Sequence, residues 1–352
     1  MSYENCWAAL NMEFAAKVPR TEYSAHCYHW ELLKAVTGID TGVEANRPAA
    51  QQAFLKAWDY GFMWSVMVGG GFLTEKGGRT TAMGHAEYAN NGADFNNQLR
   101  TPFVDVEDVY ALDPVKEYGE FGQDELVRRF EAHYAANQAA FPGMVNMSGT
   151  YITMFSGLID ILGWDALLMA MATDPERFGK VVEGYAQWVK QFFDAYVKTS
   201  IPVMMVHDDL CWTSGPVTSP DWYRRHIFPH IAKNIRMVKE AGKLVIFTSD
   251  GTIDAFFDDI VAMGVDSVVM EPSCDMAAFA TKHGDKVGFV GGMDCRTLTY
   301  GGREDIKREM ERIMAWKKHP GFILATGNHL PANVPVDNAL YYNELYEQLA
   351  WR

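Results

Sequence analysis

From about residue 140 onward the chain alternates short apolar runs with longer stretches of helical periodicity. The runs cover 143–147, 202–206, 243–248, 265–270, 287–290 and 321–325, are rich in Val, Ile, Phe and Met, and do not alternate with polar residues. Continuous apolar character of this kind marks strands of a parallel sheet covered on both faces. The stretches between them carry helix start signals. Asp174-Pro175-Glu176 supplies an N-cap, a first-turn proline and an acidic first turn for a helix running towards Lys198. Ser219-Pro220-Asp221 repeats the device, with Gly242 as its stop. Shorter helices are predicted over 253–263, 304–316 and 336–349.

Strands and helices joined by short connections build right-handed βαβ units. Six such runs, with a further candidate strand at 61–68, outnumber a small doubly wound sheet. They predict a closed (β/α)8 TIM barrel in the α/β class, with an open α/β sheet as the alternative. An open sheet of that kind needs a glycine turn for phosphate. Gly69-Gly70-Gly71 lacks the spacing and the following helix, and reads as a flexible turn. Residues 1–60 and 77–120 break the alternation. They are expected to form an N-terminal helical extension and an insertion near the barrel mouth that serves as a lid. The whole of 1–352 reads as one barrel domain.

Composition narrows the classes. Hydrophobic residues make up 48% and charged residues 22%, as in an ordinary globular chain. Against 31 Lys and Arg stand 45 Asp and Glu, a formal charge of -14, which leaves no footprint for nucleic acid or an anionic membrane. Aromatic residues reach 13%, enough to furnish a large core or a ring-lined pocket. The five cysteines are odd in number and form no CxxC pair, so neither a disulfide framework nor a four-cysteine zinc ribbon is expected. Glu4 and Glu13 sit where a signal peptide needs a basic patch and an apolar run. A cytoplasmic protein is the expectation.

In a barrel, chemistry belongs at the C-terminal ends of the strands. His207, Asp208 and Asp209 follow the second run, Asp250 and Gly251 the third, and Glu271 the fourth. Gly291, Gly292 and Asp294 follow the fifth, and Gly327, Asn328 and His329 the sixth. Two functional readings fit: a metal site of carboxylates and imidazoles, or crowded acids and bases with displaced pKa values. Against them stands simple helix capping, most of all for Asp250 ahead of Asp254. His207, Asp208, Asp209 and Asp250 are the catalytic candidates. Asp250, Glu271 and His329, with His207, are the metal candidates, and zinc or a similar divalent ion is the metal expected. His26, His29 and Trp30, beside Tyr23 and Tyr28, either line a pocket for a flat substrate or form a packed helix face. Tyr151 joins them as a substrate-binding candidate, and Glu22 is a weaker one. Cys274 and Cys295, near strand ends but without a partner at ligand spacing, are expected to be passive.

His207-Asp208-Asp209-Leu210, Gly215-Pro216 with Ser219-Pro220, Thr248-Ser249-Asp250-Gly251, the segment 321–330 and Pro335-Val336-Asp337-Asn338 together carry a resemblance. The chain resembles the uroporphyrinogen decarboxylase superfamily, over most of its length, and within it the cobalamin-dependent methyltransferases. The resemblance implies a (β/α)8 barrel. True decarboxylases of the family carry an N-terminal arginine motif for the substrate carboxylates, whereas 23–30 contains no arginine. An acidic mouth without a clamp is the wrong partner for a porphyrinogen with eight carboxylates.

Thiol-directed methyltransferases of the superfamily hold zinc with a histidine and two cysteines. The corresponding positions are Thr248, Asp250 and either Asn328 or His329, so a thiol acceptor is not expected. The branch that remains resembles the substrate-side component of O-demethylases. It implies methyl transfer from a methoxylated, aromatic compound to a corrinoid carried by a separate protein. The alternatives are a decarboxylase or lyase acting on a small aromatic or tetrapyrrole acid, and a tetrapyrrole-binding protein without chemistry. No DxHxxG corrinoid motif is present, so a tightly bound corrinoid of its own is not expected. A homodimer is compatible with the sequence.

Overall fold

The computed structural model describes residues 2–81, 102–327 and 329–352. Six parallel strands lie side by side in chain order: β1 (Ser148–Thr150), β2 (Val203–His207), β3 (Leu244–Thr248), β4 (Ser267–Val269), β5 (Gly288–Met293) and β6 (Phe322–Thr326). Five of them coincide with predicted runs to within a few residues, while β1 begins just after 143–147.

Two irregular segments close the ring. Leu324 of β6 donates its N–H to Pro19 O at 2.9 Å, and Thr21 N–H returns to Leu324 O at 3.0 Å. On the other side of that stave Gly61 N–H reaches Arg20 O at 2.7 Å. Val145 N–H then reaches Gly61 O at 2.9 Å, and Tyr151 N–H reaches Val68 O at 2.8 Å. All these bridges are parallel. Staves at 17–21 and 60–68 therefore complete a (β/α)8 barrel. The first 60 residues contain helices Ser2–Leu10, Trp30–Thr37 and Arg47–Ala57, but they also contribute a stave.

Strand alternation divides the core in two. Val203, Met205, Ile246, Val269, Val290, Ile323 and Phe62 point inward and pack with Cys6, Ala9 and Leu10 of the first helix. Met204, Val206, Val245, Phe247 and Phe289 point outward against the helical layer. Helix Pro175–Tyr196 starts as expected, with Asp174 accepting the Arg177 N–H at 3.0 Å. The helix foreseen from Ser219 to Gly242 breaks at Ile227 into Pro220–His226 and Phe228–Glu240, because Pro229 cannot continue the hydrogen-bond ladder of the first. Phe155–Thr173 is apolar and long enough to cross a bilayer, but Leu158, Ile159, Ile161 and Leu162 are spent in the core. Much of the insertion, 82–101, lies outside the described residues. Its described end, Val106–Tyr110 and Pro114–Tyr118, leans on the outer helices Phe155–Thr173 and Pro175–Tyr196.

Candidate functional site

The same alternation carries on at the tops of the strands. His207 follows Val203 and Met205 to the inside, and Thr248 follows Ile246. With Trp64, Tyr151, Val269 and Ala325 they wall a cavity of about 290 Å³ at the C-terminal end of the barrel. Tyr23, Ser24, Tyr28, Asp250, Thr326, Gly327 and His329 form its upper rim. Its size suits a small ligand rather than a tetrapyrrole.

At one end stands a tight polar corner. His207 Nε2 and Asp209 Oδ1 are 2.8 Å apart, and Asp250 N–H donates to the same oxygen at 2.9 Å. The Tyr151 ring stacks on the imidazole at 3.9 Å between centroids, tilted 29°. Burial works against an imidazolium at His207, but the carboxylates of Asp209, Asp250 and Asp208 outweigh it and raise its pKa. The corner is nailed down from behind: Asp209 N–H donates to Ser156 Oγ at 2.7 Å and Leu210 N–H to Ser249 Oγ at 3.1 Å. Gly251, at φ 78°, lets the loop after β3 press against Cys211 O, which a Cβ would approach to 2.3 Å.

Asp208, one residue on from His207, points the other way. Its Oδ1 accepts the Ser156 N–H at 2.7 Å, in the first turn of helix Phe155–Thr173, and Oδ2 is buried with no partner among the described residues. Burial, with the charge of Asp209, pushes its pKa up to about 7 against the pull of the Ser156 N–H. Its place is that of a helix tether outside the cavity, not of a group that meets a ligand.

The N-terminal candidates divide likewise. Tyr23 and Tyr28 reach the cavity: Tyr23 lies 6.0 Å from the Trp64 ring, and Tyr28 meets the His329 ring edge-on at 5.6 Å. Tyr28 OH also hydrogen-bonds Ser24 Oγ. His26, His29 and Trp30 do not line it. His26 packs edge-on against Phe141 and is pushed down to about 4 by burial. His29 Nδ1 caps helix Trp30–Thr37 by accepting the Leu32 N–H at 3.3 Å, while its Nε2 donates to Val334 O at 2.8 Å. Trp30 lies under the Arg47 guanidinium, 4.6 Å from its ring centre. These three serve the packed-helix alternative.

Glu22 is fully buried. It accepts from Thr326 N–H at 2.9 Å, from Thr326 Oγ1, and from Tyr342 OH at 3.0 Å, joining the first stave to β6 behind the cavity wall. Burial raises its pKa. Asp250 is no helix cap, since the next helical turn, Asp254–Phe256, starts from Ile253. Among the described residues, the acidic and histidine groups whose ligand atoms converge are His207, Asp209 and Asp250, within 4.8 Å of one another. Glu271 and His329 are not in that group. Glu271 instead sits close enough to Cys274 and Cys295 to act on both thiols. His329 shares the cavity, with its pKa lowered by burial.

The thiolate zinc set implied by the resemblance does not fit these residues. Thr248 offers a hydroxyl, Asn328 lies outside the described residues, and burial pushes Cys211 and Cys274 up to about 12, out of thiolate range. Trp64 and Thr326 were not singled out from the sequence, and Thr248 only as a position that departs from the thiolate zinc set. Inward parity along 61–68 and 244–248 is the signal that would have placed Trp64 and Thr248 in the cavity.

A parallel barrel with a ring-walled cavity and a polar corner over its strand ends has the layout of a barrel enzyme. The family model described as Uroporphyrinogen decarboxylase (URO-D) matches residues 83–348, more than half of the sequence. The chain belongs to the uroporphyrinogen decarboxylase family. It is 27% identical over 177 residues to a uroporphyrinogen decarboxylase of Chlorobium phaeovibrioides, covering 49% of this chain and 48% of the relative. With the Pseudomonas putida W619 decarboxylase it shares 24% over 276 residues, 76% of this chain and 75% of that one. The chain spans about half the length of the first curated relatives it matches. In fold it is similar to a methyltransferase from Methanosarcina mazei, with a TM-score of 0.64 at 14% identity over 99% of this chain and 98% of that one.

Proposed function

We propose that this chain moves a methyl group from a methoxylated aromatic compound to the cobalt of a corrinoid carried by a separate protein. The observation that carries this reading is the His207–Asp209 pair, stacked under Tyr151 at one end of a cavity walled by Tyr23, Tyr28 and Trp64. The rings suit a flat donor by stacking. When a methyl leaves an aryl ether the oxygen is left as a phenolate, a poor leaving group until it is protonated. His207, its imidazolium favoured by Asp209, is placed to give that oxygen a proton, and Asp209 holds the ring in orientation. The corrinoid of the partner supplies the nucleophile that accepts the methyl. Entry from the C-terminal face of the barrel serves such an exchange. The likeness to the Methanosarcina mazei methyltransferase supports the same class.

The test is demethylation of guaiacol, followed as catechol release, with and without an added, reduced corrinoid protein. Catechol is expected only when that protein is present, and His207→Gln should lower kcat far more than it raises KM, because the proton is given in the transition state. Equal rates for the variant would remove His207 from the chemistry. Carbon dioxide release from a methoxybenzoate without any corrinoid would assign the chain to decarboxylation instead.

A further inference from the structure

The cavity wall carries a hydroxyl that the fold itself does not use. Thr248, the last residue of β3, pairs in register with His207, the last residue of β2. Both line the cavity, as Ile246 and Met205 two positions earlier also face inward. Thr248 is 6% exposed, yet its Oγ1 has no hydrogen-bond partner among the described residues. Its neighbour Ser249 does find one, accepting the Leu210 N–H at 3.1 Å. Burial strips the Thr248 hydroxyl of water and the chain returns nothing, whereas a valine of the same shape would fill the place without that cost.

Its position says what the missing partner is. Residues in register on neighbouring parallel strands stand about 4.8 Å apart. His207 and Thr248 can therefore address two oxygens on adjoining carbons of one small ring, while a group across that ring points away from both. Asp209 and Asp250 stand at the same corner, the Asp250 N–H on Asp209 Oδ1 at 2.9 Å. A carboxylate substituent would be repelled there, and a neutral hydroxyl would not. A threonine hydroxyl can give such a group a hydrogen bond or take one.

We propose that Thr248 is a specificity-determining residue, whose hydroxyl binds a neutral hydroxyl on the ring carbon next to the one whose oxygen meets His207. The ligand class is a vicinally oxygenated aromatic ring: a catechol monoether as donor and the catechol as product. This subsite deepens the methyl-transfer reading and rests on it for naming the oxygen at His207 as the reacting one. Thr248 itself exchanges no proton with that oxygen.

The test is calorimetric binding of catechol, phenol, hydroquinone and salicylate to the full chain, which needs no corrinoid. Wild type should bind catechol at least about tenfold more tightly than each of the other three, since a site built around a hydrogen bond rejects a ligand that cannot make it. In Thr248→Val the advantage over phenol and hydroquinone should vanish, and in Thr248→Ser it should persist. Urea denaturation should find Thr248→Val no less stable than wild type, because no internal hydrogen bond is lost. Absence of a catechol advantage in wild type, its survival in Thr248→Val, or salicylate binding as tightly as catechol would overturn the proposal. A destabilised Thr248→Val would do the same, by giving the hydroxyl a structural task. Turnover with an added, reduced corrinoid protein judges the underlying reading separately. A catechol advantage without any demethylation of guaiacol leaves the subsite standing and removes methyl transfer, whereas equal demethylation of guaiacol and para-methoxyphenol removes the subsite alone.

Discussion

Replacing Asp208 with Asn should make the protein more stable at alkaline pH and leave it nearly unchanged at acid pH. The Asp208 carboxyl is fully buried and its pKa is pushed up to about 7 from 3.8. The folded state therefore binds a proton that the unfolded chain gives up, and stability falls as pH rises from about 4 to about 7. At 1.36 kcal/mol for each pH unit, that interval corresponds to about 4 kcal/mol, of which about 3 kcal/mol is lost between pH 5 and pH 8. Asn keeps the acceptor for the Ser156 N–H and never ionises, so it escapes this loss. Urea denaturation of the chelator-treated protein at pH 5 and pH 8 measures it. The advantage of Asp208→Asn over wild type should grow by roughly 3 kcal/mol between the two conditions. An advantage that is the same at both, or a variant that is less stable at pH 8, would show that Asp208 is ionised in the fold without cost. The linkage argument would then be refuted.

Two further outcomes follow from the cavity wall. Glu22→Ala removes one acceptor from three donors, leaving Thr326 N–H and Tyr342 OH buried without it, and should cost roughly 3 kcal/mol in urea denaturation. An unchanged midpoint would mean that water replaces the carboxylate. Trp64→Leu should weaken guaiacol binding, read by calorimetry, about tenfold through the loss of ring contact, with little change in stability because the ring is only half-buried. Unaltered affinity would place the ligand elsewhere.

Much of the barrel could be read from one dimension. Strand runs, the helix cap at Asp174, the helix start at Pro220, and acids at successive strand ends are local features, set by residues within a turn or two of each other. Parity is equally local: His207 points inward because Val203 and Met205 do, and that alone places it in the cavity. What happens beyond the last strand residue is not local. Asp208 and Asp209 are equivalent in composition, yet contact with Ser156, 52 residues away from Asp208, turns one into a helix tether and the other into a partner of the imidazole.

The closing staves show the same limit. Residues 17–21 contain Pro19 and too few apolar positions to announce a strand, and they take their place only because β6, about 300 residues later, offers Leu324 as partner. Around Tyr23–Trp30 the periodicity allows either face to be buried. Packing against Phe141, Val334 and Arg47 claims the histidines and Trp30, and leaves the tyrosines to the cavity. Local patterning thus determined the class of fold, the end of the barrel where chemistry sits and the inward place of His207. Tertiary contact decided which acids converge, since Asp209 meets Asp250 and Glu271 stays out of their group, because that depends on distances between loops that share no sequence neighbourhood.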